Sequence, residues 1–359
     1  MWFVRPHRVP SIFDMTQPAF AGIDVAFAKG KHLPIVVCTW QGERLIPFAL
    51  RRLDFEPPVG LGNAASCKAG VVENFAQAAV NYLRQVEAHF DVQIIRIGID
   101  APSDPRSQTV ARRAAEAALD RAGISCFTTP SDADFILIRQ KVERHLASGG
   151  AESRLPHANQ LWMLVGFQLF RQLKTVAECV EVYPQATVQL LGVGKVHKFK
   201  QGGVATQLAA ASAYTGWPRG QQDEPIIDEI AWAPSHDKLD AYLAAWVAAL
   251  DESDRLRFGT PPHDVIWAPH VKRREPPIVM KPSAATPMRV TRLLTERGSS
   301  SIQVPRKLRP RQCPACPKVF RDFPLGWDAH AAHRCPGLEA QDPEVRKREY
   351  KSRFGHLFI

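Results

Sequence analysis

Residues 21–27 read Ala-Gly-Ile-Asp-Val-Ala-Phe, a short apolar run that carries a single acid, Asp24. Apolar runs of this length, bounded by polar residues, are typical of a buried β-strand. Neither a turn nor a helix cap explains an acid at this position. A carboxylate among Ile, Val and Phe is also costly to remove from water unless a positive charge compensates it. Asp24 is therefore the first candidate functional residue.

The segments around this strand predict an α/β protein. Strand patterns cover four further segments: 32–40, 44–55, 94–99 and 176–183. Helical patterns cover 72–86, 110–122, 161–173 and 237–250, with Ser235 as the expected N-cap of the last helix. The first three strands follow one another closely, as antiparallel neighbours do, whereas the later strands alternate with helices. This order predicts a mixed five-stranded sheet flanked by helices.

Acidic residues recur at the ends of these elements. Asp100 follows the strand 94–99, Glu181 lies near the end of 176–183, and Asp237 and Asp240 begin the last helix on one face. Several carboxylates at one sheet edge repel each other, and divalent cations relieve that repulsion. Oxygen ligands favour Mg²⁺ or Mn²⁺. Two such ions about 3.5–4 Å apart can activate water and stabilise the leaving oxygen of a phosphodiester.

Each acid also has a purely structural interpretation. Asp237 is a typical first-turn helix acid, and Asp100 is a plausible turn residue before Pro102. An ion pair is the alternative for Glu181. Its candidate partners are Lys195, Lys198 and Lys200. The combination favours a metal site, provided that the carboxylates converge. Oxygens that point apart, or a lysine ammonium among them, would count against a metal-dependent hydrolase.

Six segments carry a resemblance to known families. They are GIDVAFAKGK (22–31), GIDAPS (98–103), RRAAEAALDRAGISCFTTP (112–130), VGFQLFRQL (165–173), EVYPQAT (181–187) and HDKLDAYLAAW (236–246). In this order they resemble domain-of-unknown-function family 429, described as predicted RNase H-like nucleases. The last segment is also similar to the last-helix motif of Holliday-junction resolvases. In the RNase H-like fold, an acid on the first strand, another on the fourth and one or two on the last helix bind the metals.

The resemblance implies roles for particular residues. The implied Mg²⁺ or Mn²⁺ ligands, which are also the implied catalytic residues, are Asp24, Asp100, Asp237 and Asp240. Glu181, within the family's Glu-x-x-Pro signature, would be a further catalytic-site residue. His236 would assist proton transfer, although a solvated histidine at a helix start is the commoner case. The basic loop 192–203 departs from the family pattern and would contact phosphates or lie in solvent.

The positive charge of the chain is confined to its last quarter. Residues 1–270 contain 27 Lys and Arg against 28 Asp and Glu, whereas residues 271–359 contain 19 against 8. The segment 256–310 is rich in proline and basic residues, and we interpret it as a linker. A tethered basic segment suits a nucleic-acid partner, because Lys and Arg that neutralise phosphates release counterions. Solubility is the alternative explanation.

Three cysteines near the C-terminus have zinc-ligand spacing. Two residues separate Cys313 from Cys316, thirteen separate Cys316 from His330, and four separate His330 from Cys335. Zinc fingers typically have two to four, about 12, and three to five residues at these positions. The predicted Zn²⁺ ligands are therefore Cys313, Cys316, His330 and Cys335, with His333 as the alternative fourth ligand. Such a finger would bind nucleic acid or dock a protein.

The remaining cysteines and the apolar segments indicate the cellular compartment of the protein. Cys38, Cys67, Cys126 and Cys179 are scattered singly among apolar residues, as expected of reduced thiols in a cytoplasmic protein. The longest uncharged apolar run, 161–170, is far shorter than the ~20 residues of a membrane span. The first fifteen residues lack the apolar core of a secretion signal. No membrane partner is therefore expected.

These observations predict a domain order and three functions. The predicted order is an extension (1–19), an RNase H-like domain (20–255), the linker (256–310), a zinc finger (311–340) and a basic tail (341–359). The first function is a metal-dependent nuclease with Mg²⁺ or Mn²⁺ and a Zn²⁺ finger. The second is a non-catalytic adaptor that binds nucleic acid or protein. The third, a kinase of the actin-like fold, ranks last because paired glycine-rich nucleotide loops are not evident.

Overall fold

The structure is a computed structural model, and it describes most of the first 271 residues. The described residues are 16–220, 223, 228–261 and 264–271, and also 311, 312, 319, 320 and 345. The chain divides into two compact units, Met1–Ile278 and Val279–Ile359. Every helix of the described part is too short or too polar to cross a lipid bilayer.

The first unit begins with three strands, continues with helices that two single strands interrupt, and ends with two further strands. Its strands are β1 (Gln17–Asp24), β2 (Ile35–Gln41), β3 (Arg44–Pro47), β4 (Val92–Asp100), β5 (Glu178–Glu181), β6 (Arg255–Thr260) and β7 (Asp264–Pro269). Its described α-helices are α1 (Val71–Phe90), α2 (Ala114–Arg121), α3 (Asp132–Ala147), α4 (Ala158–Leu173), α5 (Pro184–Leu190), α6 (Gly203–Thr215) and α7 (Ser235–Ala249). In the second unit, two-residue strands β8 (Arg311–Gln312) and β9 (Val319–Phe320) pair antiparallel.

A mixed sheet of five strands forms the centre of the first unit. Its strand order is β3-β2-β1-β4-β5. Strand β2 runs antiparallel to both β1 and β3, whereas β4 runs parallel to both β1 and β5. The prediction of an α/β protein with a mixed five-stranded sheet is therefore confirmed.

The two faces of the sheet pack against different helices. On β1, Ala19, Ala21 and Ile23 belong to the hydrophobic cluster that contains the buried residues of α1 and the C-terminal half of α4. Phe20, one residue out of phase, belongs to the cluster that contains α7. Because side chains alternate along a strand, Gly22 and Asp24 share the face of Phe20. Asp24 thus lies on the α7 side of the sheet.

Helix α7 approaches the sheet so closely that glycine is required beneath it. A Cβ atom at Gly22 would lie 2.0 Å from the carbonyl oxygen of Ala241, and one at Gly98 would lie 2.3 Å from that of Ala244. All residues of α7 from Lys238 to Ala249 are buried. The helix is therefore fixed in position directly over β1 and β4.

Several boundaries and elements differ from the sequence predictions. Only 44–47 of the predicted strand 44–55 is a strand, and a 3₁₀ helix follows at Leu50–Arg52. Ser235 is the first residue of α7 rather than its cap, because Pro234 occupies the N-cap and no side chain caps this helix. The predicted helix 110–122 begins only at Ala114. Helices α3, α5 and α6 were not predicted.

The segment after α7 is not wholly a linker. Strands β6 and β7, which span residues assigned to the linker by sequence, form an antiparallel hairpin. Phe258 and Ile266 of this hairpin share a hydrophobic cluster with Ala115 and Leu119 of α2. The hairpin therefore belongs to the first unit, which extends to residue 278.

The close contact between α7 and the sheet can be tested by substitution. We expect Gly22→Ala to lower the free energy of unfolding by about 3 kcal/mol or more, because the added methyl group meets helix backbone that cannot rotate away. Urea unfolding followed by circular dichroism measures this change.

Gly30→Ala is the control for this substitution. Gly30 has a φ of +72°, and no atom lies within 4 Å of the position that an added methyl group would take, so this variant isolates the cost of the backbone conformation. That cost is about 1–2 kcal/mol. Equal losses in the two variants would contradict a steric role for Gly22.

Candidate functional site

Two identical tripeptides form the base of the candidate site. Gly-Ile-Asp occurs at 22–24 at the end of β1 and again at 98–100 at the end of β4. The two strands are parallel neighbours in direct alignment here, so Gly22 pairs with Gly98 and Asp24 pairs with Asp100. The two aspartates therefore lie side by side at the carboxyl edge of the sheet, on the face that α7 covers.

Helix α7 brings two more acids to the same edge. Asp237 lies in its first turn, half-buried, and Asp240 follows one turn later with 6% of its surface exposed. Gly22 and Gly98 explain this placement, because the absence of side chains lets the first turns of α7 pack close to the ends of β1 and β4. An ion pair joins Asp240 to the ammonium of Lys198, from the loop between α5 and α6.

The pKa values of the strand acids show that they share one electrostatic environment. Loss of hydration raises the pKa of Asp24 well above its ordinary value, the charges of Asp100 and Asp237 raise it further, and Lys198 opposes them. Loss of hydration likewise raises the pKa of Asp100 to about 7, with Lys198 again lowering it and Glu181 raising it. Burial is thus the main reason why the ionised forms of both acids are disfavoured, and Lys198 offsets this effect only in part.

Glu181 lies at the same edge, but its charge is already matched. Its two carboxylate oxygens accept hydrogen bonds of 2.9 and 2.8 Å from the guanidinium of Arg113, and one also accepts the backbone N–H of Ser103 at 2.9 Å. Both partners of this ion pair are buried. Burial raises the pKa of Glu181, and Arg113 partly offsets that effect. The partner is thus an arginine, not one of the three lysines considered from sequence.

The β6–β7 hairpin holds Arg113 from the other side. Asp264 accepts a hydrogen bond of 3.1 Å from Nε of Arg113 and one of 2.6 Å from the backbone N–H of Ala114. The second bond satisfies a free N–H group at the start of α2, where no local side chain caps the helix. Asp264, Arg113 and Glu181 therefore form a chain of charges from the hairpin to the sheet.

A polar cavity of about 340 Å³ opens beside the acids. Asp100 and Asp240 line it together with Tyr183, Gln185, His197 and Lys198. It is large enough for several water molecules or a phosphate group. Acidic and basic side chains thus line one shared cavity.

A smaller cavity of about 60 Å³ shares Asp100 and Tyr183 with the first. Its other lining residues include the apolar side chains Phe127, Trp162 and Met163. The side chain of Phe127 is 59% exposed. An aromatic surface therefore lies near the acids.

His236 precedes the two helix acids and contacts one of them. Its Nε2 atom lies 3.1 Å from an oxygen of Asp237. Its ring packs against that of Phe199, with 4.5 Å between the ring centroids. His236 is thus half-buried at the start of α7 rather than a freely solvated histidine.

The structure thus brings together Asp24, Asp100, Asp237 and Asp240, with Glu181 adjacent but bound to Arg113. It also places the ammonium of Lys198 among them, which is the arrangement that would count against a metal site. Within the residues that the structure describes, no three His, Cys, Asp or Glu side chains are arranged to hold a metal ion as they stand. The site roles of these residues remain predictions.

Comparison with known families identifies the chain. Residues 60–264 match the family model described as Protein of unknown function (DUF429), which covers more than half of the sequence. The chain belongs to the DUF429 family. No curated protein and no solved structure gives a match. The resemblance expected from the sequence motifs is confirmed at the level of this family.

The matched region covers most of the candidate site. It contains Asp100, Glu181, Asp237 and Asp240, and it ends at Asp264, which holds Arg113. Asp24 precedes it. The inclusion of Asp24 in the site of this DUF429 member therefore depends on its pairing with Asp100 across neighbouring strands.

The predicted zinc ligands lie outside the described residues. These are Cys313, Cys316, His330, His333 and Cys335. The described strands β8 and β9 pair across the segment that contains the first two cysteines, with Arg311 opposite Phe320 and Gln312 opposite Val319. In the first unit, Cys38 is buried, whereas Cys67, Cys126 and Cys179 are only partly so, and all four are free thiols.

Two residues of the site were not identified from sequence as its members. Arg113 stood out only as part of a family segment, and its partners Glu181 and Asp264 lie 68 and 151 residues away. Lys198 was considered as a partner for Glu181, whereas it binds Asp240, 42 residues away. The basic loop 192–203 was the sequence feature that could have indicated a cation near the acids. It does not indicate which acid that cation binds.

The buried ion pair of Arg113 and Glu181 can be tested by removing one charge. We expect Arg113→Met to lower the free energy of unfolding by about 3–5 kcal/mol, because it leaves Glu181 buried without its partner. Chemical unfolding of the full chain at neutral pH measures the loss.

Arg52→Met is the matched control, because Arg52 forms a surface ion pair with Glu229 at 2.5 Å. Surface pairs of this kind contribute about 0–1 kcal/mol. A loss below about 1 kcal/mol in Arg113→Met would show that Glu181 finds water or another cation instead.

Proposed function

We propose that this protein is a metal-dependent nuclease that hydrolyses phosphodiester bonds of nucleic acid at the carboxylate cluster. The observation that carries the proposal is the alignment of Asp24 with Asp100 beneath the start of α7, which adds Asp237 and Asp240. Acids on the first strand, the fourth strand and a helix that packs across them are the arrangement that the resemblance to the RNase H-like fold implies.

The negative charge of the carboxylate cluster favours the binding of a divalent cation. Four carboxylates share the edge, and Lys198 supplies one positive charge against them. Glu181 does not need a cation, because Arg113 already matches it. The surplus is unfavourable in a half-buried site unless protons or further cations bind there.

The donor chemistry fits Mg²⁺ or Mn²⁺. All four side chains supply carboxylate oxygens, which these hard cations prefer over nitrogen or sulfur. Asp24, Asp100, Asp237 and Asp240 would hold the ions, with Asp240 first released from Lys198. When bound, such ions polarise a phosphate oxygen and lower the pKa of coordinated water.

The surroundings of the acids suit a nucleic-acid substrate. His197 and Lys198 line the polar cavity together with Asp100 and Asp240, so a phosphate within it meets both the acids and basic groups. Phe127 and Trp162 line the neighbouring cavity, and the ring of Phe127 is 59% exposed, so a base could stack on its solvent-facing side. Tyr183 borders both cavities and would separate the two parts of a nucleotide.

Loss of activity on changing Asp24 tests the proposal. Purified protein is incubated with Mg²⁺ or Mn²⁺ and labelled single-stranded, duplex, hybrid and branched substrates. We expect cleavage of at least one class, and Asp24→Asn should slow it by roughly 100-fold or more, because one ligand charge is lost. Asp54→Asn, at an exposed aspartate, is the matched control. Cleavage that survives Asp24→Asn unchanged would remove the assignment.

The adaptor hypothesis draws support from one observation. Lys198 occupies the cluster and binds Asp240, so the acids together with this lysine would form a purely structural charge network. A non-catalytic adaptor predicts salt-sensitive binding of nucleic acid, no metal-dependent cleavage, and no effect of Asp24→Asn on binding. The cleavage assay above separates the two functions.

We also propose that the C-terminal cysteines bind zinc and dock substrate or a protein partner. The support is the ligand spacing and the pairing of β8 with β9 on either side of the segment that contains Cys313 and Cys316. A pair of short strands on either side of a Cys-x₂-Cys sequence is compatible with a zinc finger. The basic excess of residues 271–359 favours nucleic acid as the docked partner.

Zinc content tests the finger directly. We expect about one Zn²⁺ per chain by elemental analysis, and Cys313→Ser should lower it to near zero because structural zinc sites need all of their ligands. Cys67→Ser, at a free cysteine of the first unit, should leave the zinc content unchanged. A chain that carries no zinc when purified without chelators would contradict the finger.

A further inference from the structure

Contacts of the residues on either side of Lys198 hold its loop next to the acids. The backbone carbonyl of Val196 accepts a hydrogen bond of 2.7 Å from the side chain of Gln207, a buried residue of α6. On the other side of Lys198, the ring of Phe199 packs against His236 at the start of α7. The loop thus makes a contact with a helix on each side of Lys198. The ammonium of Lys198 itself lies at the end of a flexible side chain.

The neighbouring lysines of the same loop differ from Lys198. Lys195 and Lys200 are exposed, whereas the side chain of Lys198 has only 26% of its surface exposed. The charge of Lys198 also partly opposes the rise in the pKa values of Asp24 and Asp100 that burial causes. Lys198 therefore serves the acid cluster in this structure, and the other two provide matched controls.

Lys198 also borders the space where a substrate phosphate would lie. It lines the cavity of about 340 Å³ together with Asp100, Asp240, Gln185 and His197. A lysine side chain has a flexible four-carbon stem, and Lys198 and Asp240 line the same cavity, so we expect the ammonium to reach this cavity by a change of side-chain rotamer. A lysine ammonium can bind phosphate groups as well as carboxylates.

We propose that Lys198 exchanges partners, holding Asp240 when no divalent cation is bound and binding a phosphate group of the substrate once a cation occupies the carboxylates. The inference rests on the proposed function and adds a role for a residue outside the predicted ligands. It makes Lys198 a competitor of the cation and a partner of the phosphate. Removal of the lysine must therefore strengthen cation binding and weaken phosphate binding.

Titration calorimetry of the full chain tests both effects. Mn²⁺ is titrated into the wild type, Lys198→Met, Lys198→Arg and Lys200→Met. We expect Lys198→Met to bind Mn²⁺ roughly ten-fold more tightly, because a positive charge next to the ligands is removed. Lys198→Arg and Lys200→Met should stay close to the wild type.

The phosphate half of the proposal uses two probes. Inorganic phosphate in the presence of Mg²⁺, and a short single-stranded DNA in the presence of Ca²⁺, are titrated into the same variants. We expect Lys198→Met to weaken binding by roughly ten-fold, with Lys198→Arg retaining most of it. Weakening for DNA alone would identify a backbone phosphate as the partner, and weakening for both would identify any phosphate.

The outcomes separate this inference from the proposed function. Mn²⁺ binding by the wild type that is unchanged in Lys198→Met would overturn the competition and leave the metal site intact. Tighter Mn²⁺ binding with unchanged affinity for both phosphate probes would overturn the exchange. Absence of Mn²⁺ binding in the wild type and in Lys198→Met would overturn the metal site and the inference together.

A measurement on the wild type covers the case in which Lys198→Met does not fold. Acetylation by an amine-reactive ester, read by mass spectrometry, reports the access of reagent to each lysine of the loop. We expect Lys198 to be protected without Mn²⁺, more reactive with Mn²⁺, and protected again when phosphate is added. Lys195 and Lys200 should react equally under all three conditions, and a Lys198 that behaves as they do would overturn the proposal.

Discussion

The contact between the backbone of α7 and the glycines of β1 and β4 determines the rest of the site. Gly22 and Gly98 are aligned on neighbouring strands, and the helix carbonyls lie within 2.3 Å of the positions their Cβ atoms would take. Asp24 and Asp100 follow each glycine by two residues, so they emerge on the same face just beyond the contact. One steric constraint thus fixes both the packing of the helix and the convergence of the acids.

Burial and charge then act against each other at this edge. The close packing that brings the acids together also removes them from water, which raises the pKa values of Asp24 and Asp100. Two other acids at the same edge are paired with cations. Arg113 binds Glu181, and Lys198, from a loop, binds Asp240. The arginine is buried and held at both ends, whereas the lysine is partly exposed, and only the latter charge can readily be exchanged.

The sequence predicted the fold class and the acids because both depend on local patterns. Asp24 lies within an apolar run, Asp100 lies at the end of one, and Asp237 and Asp240 share a helix face by spacing alone. The repeated Gly-Ile-Asp was the strongest available sign that two strands meet in register. Helix α6 was missed because its alanines and small polar residues lack an apolar face. The ion pairs of Arg113 and Lys198 were missed because they join residues distant in sequence, where no periodicity applies.

The β6–β7 hairpin has a consequence for where the folded domain ends. Asp264 of this hairpin caps α2 and holds Arg113 against Glu181, and Phe258 and Ile266 pack on the same helix. A chain that ends after α7 would therefore lack the side chain that caps α2. It would also lack one of the two carboxylates that bind the buried Arg113. We therefore expect the hairpin and the sheet to unfold together, and a fragment that ends after α7 to be less stable than one that retains the hairpin.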